Sequence, residues 1–245
     1  MLSIFSPNGL SEFFKFHKVG AYEHEEIAGM SRRYFYDMET ALLSPDSQRR
    51  RLEWQEREDV DRSFIATHMK AWLEMQPMPE KSFWILKSPA ATSWLVEHAR
   101  VFDDATFVFT SRDPTSVVPS IAGLNEVALS IKFDYSAGMR RIGTGVLGRL
   151  QGYCRAQAQF VEGEFKSRVL EVKYSDLMKD PMGEATKIYE KSGRTLEKDV
   201  EERMRGHIKG NKKGAHGKAV YSLDKFELTE GDMQGEFDLY RERFC

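Results

Sequence analysis

The chain has 245 residues, of which 41% are hydrophobic and 30% charged, with 36 Lys and Arg against 38 Asp and Glu. A net charge of -2 and a pI near 6.3 give no global attraction to nucleic acid or anionic membrane, so any polyanion site must be local. Cys154 and Cys245 make no disulfide framework, and six histidines without metal-ligand spacing make no zinc-type centre; this usage suits a reducing compartment such as the cytoplasm.

The length suits one sizeable α/β domain with its own core. No apolar run approaches the roughly 20 residues of a membrane-spanning helix, and MLSIFSPNGLSEFFKFHK lacks the pattern of a secretory signal. Residues 1–63 mix aromatic and charged residues at loosely helical spacing and read as a poorly defined helical part. Within them, Arg49, Arg50 and Arg51 are interleaved with Glu53, Glu56, Glu58 and Asp59, the pattern of a solvated helix face. The next segment, SFIATHMKAWLEM, places Phe64, Ile65, Met69, Trp72, Leu73 and Met75 at amphipathic spacing, and Pro77 and Pro79 end it.

Phe83 to Leu86, FWIL, form a short apolar run of strand character. Lys87-Ser88-Pro89 follow at its carboxyl end, and ATSWLVEHARVF then reads as a helix. The device repeats at residues 104–120, DATFVFTSRDPTSVVPS. An apolar strand over 105–110 delivers Arg112, and Pro114 opens a helix where its missing N–H is harmless. Two consecutive strand-to-helix units argue for a parallel sheet with a ligand along the carboxyl edge, where helix N-termini offer N–H groups and an arginine fork suits phosphate or sulfate. Taken alone, the residues fit equally a surface Arg112 pairing a carboxylate and a Ser120 that merely packs.

Residues 137–166 read as one long helix striped by Met139, Ile142, Val146, Leu147, Leu150, Tyr153 and Phe160. The glycines of GTGVLG (143–148) follow no strand and so make no dinucleotide fingerprint; a core or hinge role suits them better. A further strand, RVLEVK (168–173), leads into Tyr174 and then into KDPMGEATKIYEKSG, with a proline start and a Gly193 stop. Lys209, Lys212, Lys213 and Lys218 then cluster among Gly210, Gly214 and Gly217, which is either a flexible solvated loop or a cationic cradle that a ligand can approach closely.

Taken together, WILKSP, the SRDPTSVVPSIAGL segment, the strand ending at Tyr174 and KKGAHG resemble, in order, the motifs of the sulfotransferases that use 3′-phosphoadenosine 5′-phosphosulfate (PAPS), and of their broad bacterial-type branch in particular. The resemblance runs from about Phe64 to Phe244. It implies a P-loop-NTPase-like fold, a parallel sheet flanked by helices, in one domain whose core is residues 64–244. It also implies that Arg112 and Ser120 hold the 3′-phosphate of PAPS, with Lys212, Lys213 and Gly214 closing over it and Tyr174 contacting the adenine. Lys87 would neutralise charge on the bridging oxygen as the sulfuryl group moves to a hydroxyl or amine of a small-molecule or glycan acceptor. No metal, nucleic acid or membrane span is expected.

Three departures from the pattern matter. Ala91 stands where the family has its histidine base, and His68, on the preceding helix, is the substitute candidate. Lys212 replaces an arginine, keeping charge but losing the bidentate fork. The family's N-terminal strand and 5′-phosphosulfate loop have no counterpart: Ser6-Pro7-Asn8-Gly9 lacks the arginine, the hydroxyl pair and a preceding strand. Because that strand lies inside the sheet, the sequence reads as incomplete at its N-terminus, unless an oligomer or a rearranged segment covers the exposed edges. The competing reading is a PAPS-binding or interaction module of the same fold without turnover. A small-molecule kinase is disfavoured, since no GxxxxGK[ST] loop occurs.

Overall fold

The computed structural model describes residues 50, 53, 57, 61–79, 82–132, 138–210 and 222–245. Helix α1 spans Ser63–Glu74. Asp61 supplies its start, its Oδ1 accepting the Ser63 N–H at 2.8 Å, and Ile65, Ala66, Met69 and Leu73 form the buried stripe the spacing predicts. Residues 82–88 have no regular secondary structure. The strand expected at FWIL is therefore not formed, and Phe83, Trp84, Ile85 and Leu86 are 38, 44, 79 and 36% exposed. A strand exists only against a ladder partner, and among the described residues none lies alongside this one. Phe83 is held instead by the Arg194 guanidinium over its ring and by Tyr189 edge-on.

A 3₁₀ turn, Pro89–Trp94, runs into α2, Leu95–Val101. The strand β1, Phe107–Ser111, follows, and the long helices α3, Pro114–Lys132, and α4, Met139–Glu162, carry the chain over to β2, Val169–Lys173. The two strands pair in parallel, Phe107 opposite Val169 and Ser111 opposite Lys173. Beyond them come α5, Tyr174–Lys179, α6, Pro181–Lys191, α7, Lys198–Gly210, and finally α8, Glu236–Phe244. The Asp180 side chain caps α6 by accepting the Gly183 N–H at 2.9 Å, and Gly193 (φ 67°) ends it in the left-handed conformation that the glycine stop predicts. None of the helices among the described residues is long and apolar enough to cross a membrane.

The helix α4 is the spine. Its first half packs Ile142 and Val146 against Val118, Ala122 and Leu129 of α3 and against Phe226, Leu228, Met233 and Phe237. Its second half packs Phe160 and Val161 against Leu95 and Ala99 of α2, Phe109 of β1, and Tyr240 and Phe244 of α8. Arg168 ties the lower end together: its guanidinium donates to the carbonyls of Ala99 and Asp103, both at 2.9 Å, and of Phe102 at 2.8 Å, while lying over the rings of Phe107 and Phe165. One carbonyl of the last turn of α2 and the two that follow the helix are thus satisfied by a fixed cation, which also suits the negative end of the helix dipole.

The glycine run of α4 divides by position. Gly143 is buried against the 3₁₀ turn Asp224–Phe226, and a methyl group there would sit 2.8 Å from the Phe226 carbonyl oxygen. Gly148 is exposed, with nothing within 4 Å of the corresponding point. Gly143→Ala is therefore expected to destabilise by about 1–3 kcal/mol through overpacking. Gly148→Ala is expected to stabilise by about 0.5–1 kcal/mol through helix propensity alone. Urea unfolding of the two variants distinguishes these signs, and equal effects would contradict the packing described.

Burial holds the His98 imidazole below its usual pKa, although its Nδ1–H donates to the Trp94 carbonyl at 2.6 Å, which favours the charged form. The unfolded chain then binds the extra proton more readily than the folded one. Stability contributed by neutral His98 is fully present above the ordinary histidine pKa of about 6.5 and is lost as pH falls below it. Thermal unfolding at pH 7.5 and 5.5 is expected to show a drop that is smaller in His98→Gln. An equal drop in both would assign the acid sensitivity elsewhere.

Candidate active site

Parallel pairing sets the geometry. With Ser111 opposite Lys173, the next residues of the two strands, Arg112 and Tyr174, emerge side by side at the carboxyl edge. The Arg112 guanidinium lies over the Tyr174 ring, 4.6 Å from its centroid, a cation–π contact of about 0.5–1 kcal/mol at an exposed site. Among the described residues no carboxylate pairs with Arg112, so its N–H fork keeps its capacity for an anion.

The carboxylate that could have quenched it is Asp113, and it is engaged elsewhere. Asp113 caps α3: its Oδ1 accepts the Thr115 N–H at 2.9 Å, and its carbonyl accepts those of Ser116 at 3.0 Å and Val117 at 3.3 Å. Arg241 of α8 approaches Asp113 Oδ1 at 3.8 Å. This arrangement corrects one expectation of the sequence. Pro114 has no N–H and the next three amides are taken, so the α3 N-terminus offers its dipole but no free first-turn amide to an anion. Donors for an anion at the start of α3 are therefore side-chain groups rather than first-turn amides. Ser120, exposed on α3 one turn beyond Ser116, presents such a hydroxyl.

The other sequence candidates occupy varied positions. Lys87 is exposed immediately before the Pro89–Trp94 turn, but on irregular backbone rather than at a strand end. His68 lies on the exposed side of α1, its Nδ1–H donating to the Phe64 carbonyl at 2.6 Å. The buried face of α1 places Ile65 against Ala90 and Trp94 of the turn that follows Lys87, so both residues belong to one packed unit. Ala91 is in that turn and offers no proton acceptor. Lys212, Lys213 and Gly214, like Ser6 to Gly9, lie outside the described residues.

A buried polar chain beneath Arg112 escaped the sequence reading. Ser111, Gln157 and Tyr240 are 3, 7 and 8% exposed. The Tyr240 hydroxyl donates to Gln157 Oε1 at 3.3 Å, and Gln157 Nε2 donates to Ser111 Oγ at 3.3 Å. Burial pushes the Tyr240 hydroxyl up to about 12, which keeps it a donor at neutral pH. The signal in the sequence was a polar residue on the apolar face of α4, three positions before Phe160. The Cys154 thiol, also on α4, is pushed up to about 12 chiefly by burial, so it is protonated and no nucleophile.

The sulfotransferase family model matches residues 12–198, well over half the chain, starting ahead of the recognisable motifs and closing before the lysine-glycine loop. Two crystal structures share the fold. Sulfotransferase STF9 from Mycobacterium avium matches with a TM-score of 0.68 at 23% identity, covering 76% of this chain and 48% of its own. Sulfotransferase STF1 from Mycobacterium tuberculosis H37Rv matches with a TM-score of 0.69 at 22% identity, covering 94% of this chain and 56% of its own. The chain thus spans about half the length of these two proteins, and no curated protein matches it significantly. With its parallel sheet, its arginine and tyrosine at adjacent strand ends, and this match, the chain belongs to the sulfotransferase family.

Proposed function

We propose that this chain binds PAPS at the carboxyl edge of β1 and β2 and transfers its sulfuryl group to a hydroxyl or amine of a small-molecule or glycan acceptor in the cytoplasm. The observation that carries the proposal is the Arg112 guanidinium laid on Tyr174, with no carboxylate to quench it among the described residues. The 3′-phosphate accepts from Arg112 and the Ser120 hydroxyl, Lys212 and Lys213 with Gly214 close over it, and Tyr174 contacts the adenine. Charge-assisted contacts of this kind contribute about 1.5–3 kcal/mol each.

In the transfer itself the acceptor oxygen or nitrogen forms a bond to sulfur as the bond from sulfur to the bridging phosphate oxygen breaks. The products are the sulfated acceptor and 3′,5′-adenosine bisphosphate, and the acceptor proton leaves to a base or to water. Lys87 faces the bridging oxygen, where charge grows in the transition state, and stabilises it electrostatically. His68 is the base proposed in place of the histidine that Ala91 lacks; general-base help is worth about 10²- to 10⁴-fold. The second reading, a PAPS-binding or interaction module without turnover, draws its support from Ala91, which cannot accept a proton.

Incubation with PAPS radiolabelled on sulfur, with phenol, alcohol and amine acceptors in turn, separates the two readings. Label is expected in an acceptor, with Lys87→Met lowering kcat by about 10²-fold or more, as expected of a preorganised charge acting on the transition state. Nucleotide binding with no transfer to any acceptor establishes the module instead. Tyr174→Phe is expected to keep nucleotide affinity, whereas Tyr174→Ala should weaken it by about 1–2 kcal/mol through loss of the ring beside the base. Equal affinity in the two variants would remove Tyr174 from the site.

A further inference from the structure

Gln157 has no direct access to a ligand at the carboxyl edge, yet it occupies a place where an apolar residue would pack at less expense. It is buried on the helix that also carries Phe160 and Val161 of the core, and a buried primary amide destabilises the fold unless its hydrogen bonds are made. It hydrogen-bonds to two residues far away in sequence: Ser111, at the end of β1, and Tyr240, on α8. Inward and outward positions alternate along β1, with Phe109 and Ser111 buried and Val108 and Thr110 exposed. A hydrogen bond that holds Ser111 inward therefore also sets the direction in which the next residue, Arg112, leaves the strand.

The same helix reaches both strands on either side of this point. Arg241, adjacent to Tyr240, approaches Asp113 at 3.8 Å. On β2, Arg243 forms a two-pronged pair with Glu171 at 3.0 and 3.2 Å, and Lys173 Nζ donates to the Cys245 carbonyl at 3.2 Å. Thus α8 and the residue after it hold Asp113, next to Arg112, and Lys173, next to Tyr174, and the amide of Gln157 links Tyr240 of α8 to Ser111 of β1.

We infer that Gln157 is a positioning residue: through Ser111, and anchored by the Tyr240 hydroxyl, it holds Arg112 over Tyr174 in the orientation that receives the 3′-phosphate. This deepens the functional reading above and rests on it for the identity of the anion, whereas the placement of Arg112 can be measured without any ligand. A buried polar network of this type specifies one geometry where an all-apolar packing would permit several.

Two variants test it: Gln157→Met, which conserves length and volume, and Tyr240→Phe, which removes only the hydroxyl. In the ligand-free protein, the Arg112 Nε–H resonance, assigned by its loss in Arg112→Lys, should carry the ring-current shift of Tyr174. That shift is expected to move toward the random-coil position in both variants while the fold is retained. In titrations, Gln157→Met is expected to weaken 3′,5′-adenosine bisphosphate by about 5- to 10-fold, the coupling typical of residues in one network. It should leave adenosine 5′-monophosphate, which has no 3′-phosphate, unchanged, and should cause no further loss in an Arg112→Ala background. An unmoved Nε–H resonance, or an equal loss of affinity in the Arg112→Ala background, overturns the inference. Should the wild-type chain bind no bisphosphate at all, the functional reading falls, and the resonance comparison alone decides the role of Gln157.

Discussion

The site depends on the register of one parallel strand pair. Because Ser111 faces Lys173, the two chains leave the sheet in step, and a cation and an aromatic ring that are far apart in sequence become neighbours. Slipping β1 by one residue would turn its side chains, Arg112 among them, to the opposite face and direct a charge toward the Phe109 and Phe160 core. The register is in turn protected by what packs on it. Phe107 and Phe109 interlock with Phe160, Arg168 fixes the lower end to α2, and α8 grips the upper end through Arg241, Arg243 and the Lys173 contact.

The charges around Arg112 are arranged so that it stays available. Asp113, the nearest acid in sequence, is committed to capping α3, and Arg241 stands beside it. The cap consumes the amides that would otherwise greet an anion, which transfers the burden of recognition from backbone to side chains. An arginine held over an aromatic ring suits that burden: the ring limits its rotamers, so less conformational entropy would be lost if the fork engaged an anion.

Much of this was legible in the sequence because it follows from local patterns. The apolar runs that became β1 and β2, the Asp-Pro helix starts, the α4 stripe and the Gly193 stop are all short-range signals, and Arg112 and Tyr174 fall where those signals end. FWIL misled because an apolar run states what a segment would bury, whereas a strand needs a partner, and none is paired with it among the described residues. The α3 N-terminus misled because the same Asp113 that marks a helix start also occupies its amides. The chain from Ser111 through Gln157 to Tyr240 spans hydrogen bonds between residues 46 and 83 positions apart, which no local period encodes. Gly143 and Gly148 look alike in sequence and differ only in what tertiary packing brings to them.

Membership in the sulfotransferase family and the shared fold give the carboxyl edge its context, and the central claim is that Arg112 makes this edge a 3′-phosphate site. Calorimetric titration of the wild-type chain and of Arg112→Ala with 3′,5′-adenosine bisphosphate addresses that claim without an acceptor or a catalytic step. The account predicts micromolar binding by the wild type and a loss of about 10- to 100-fold in the variant, the value of one charge-assisted fork. A folded wild-type chain that does not bind the bisphosphate, or a variant that binds it equally well, would contradict the account.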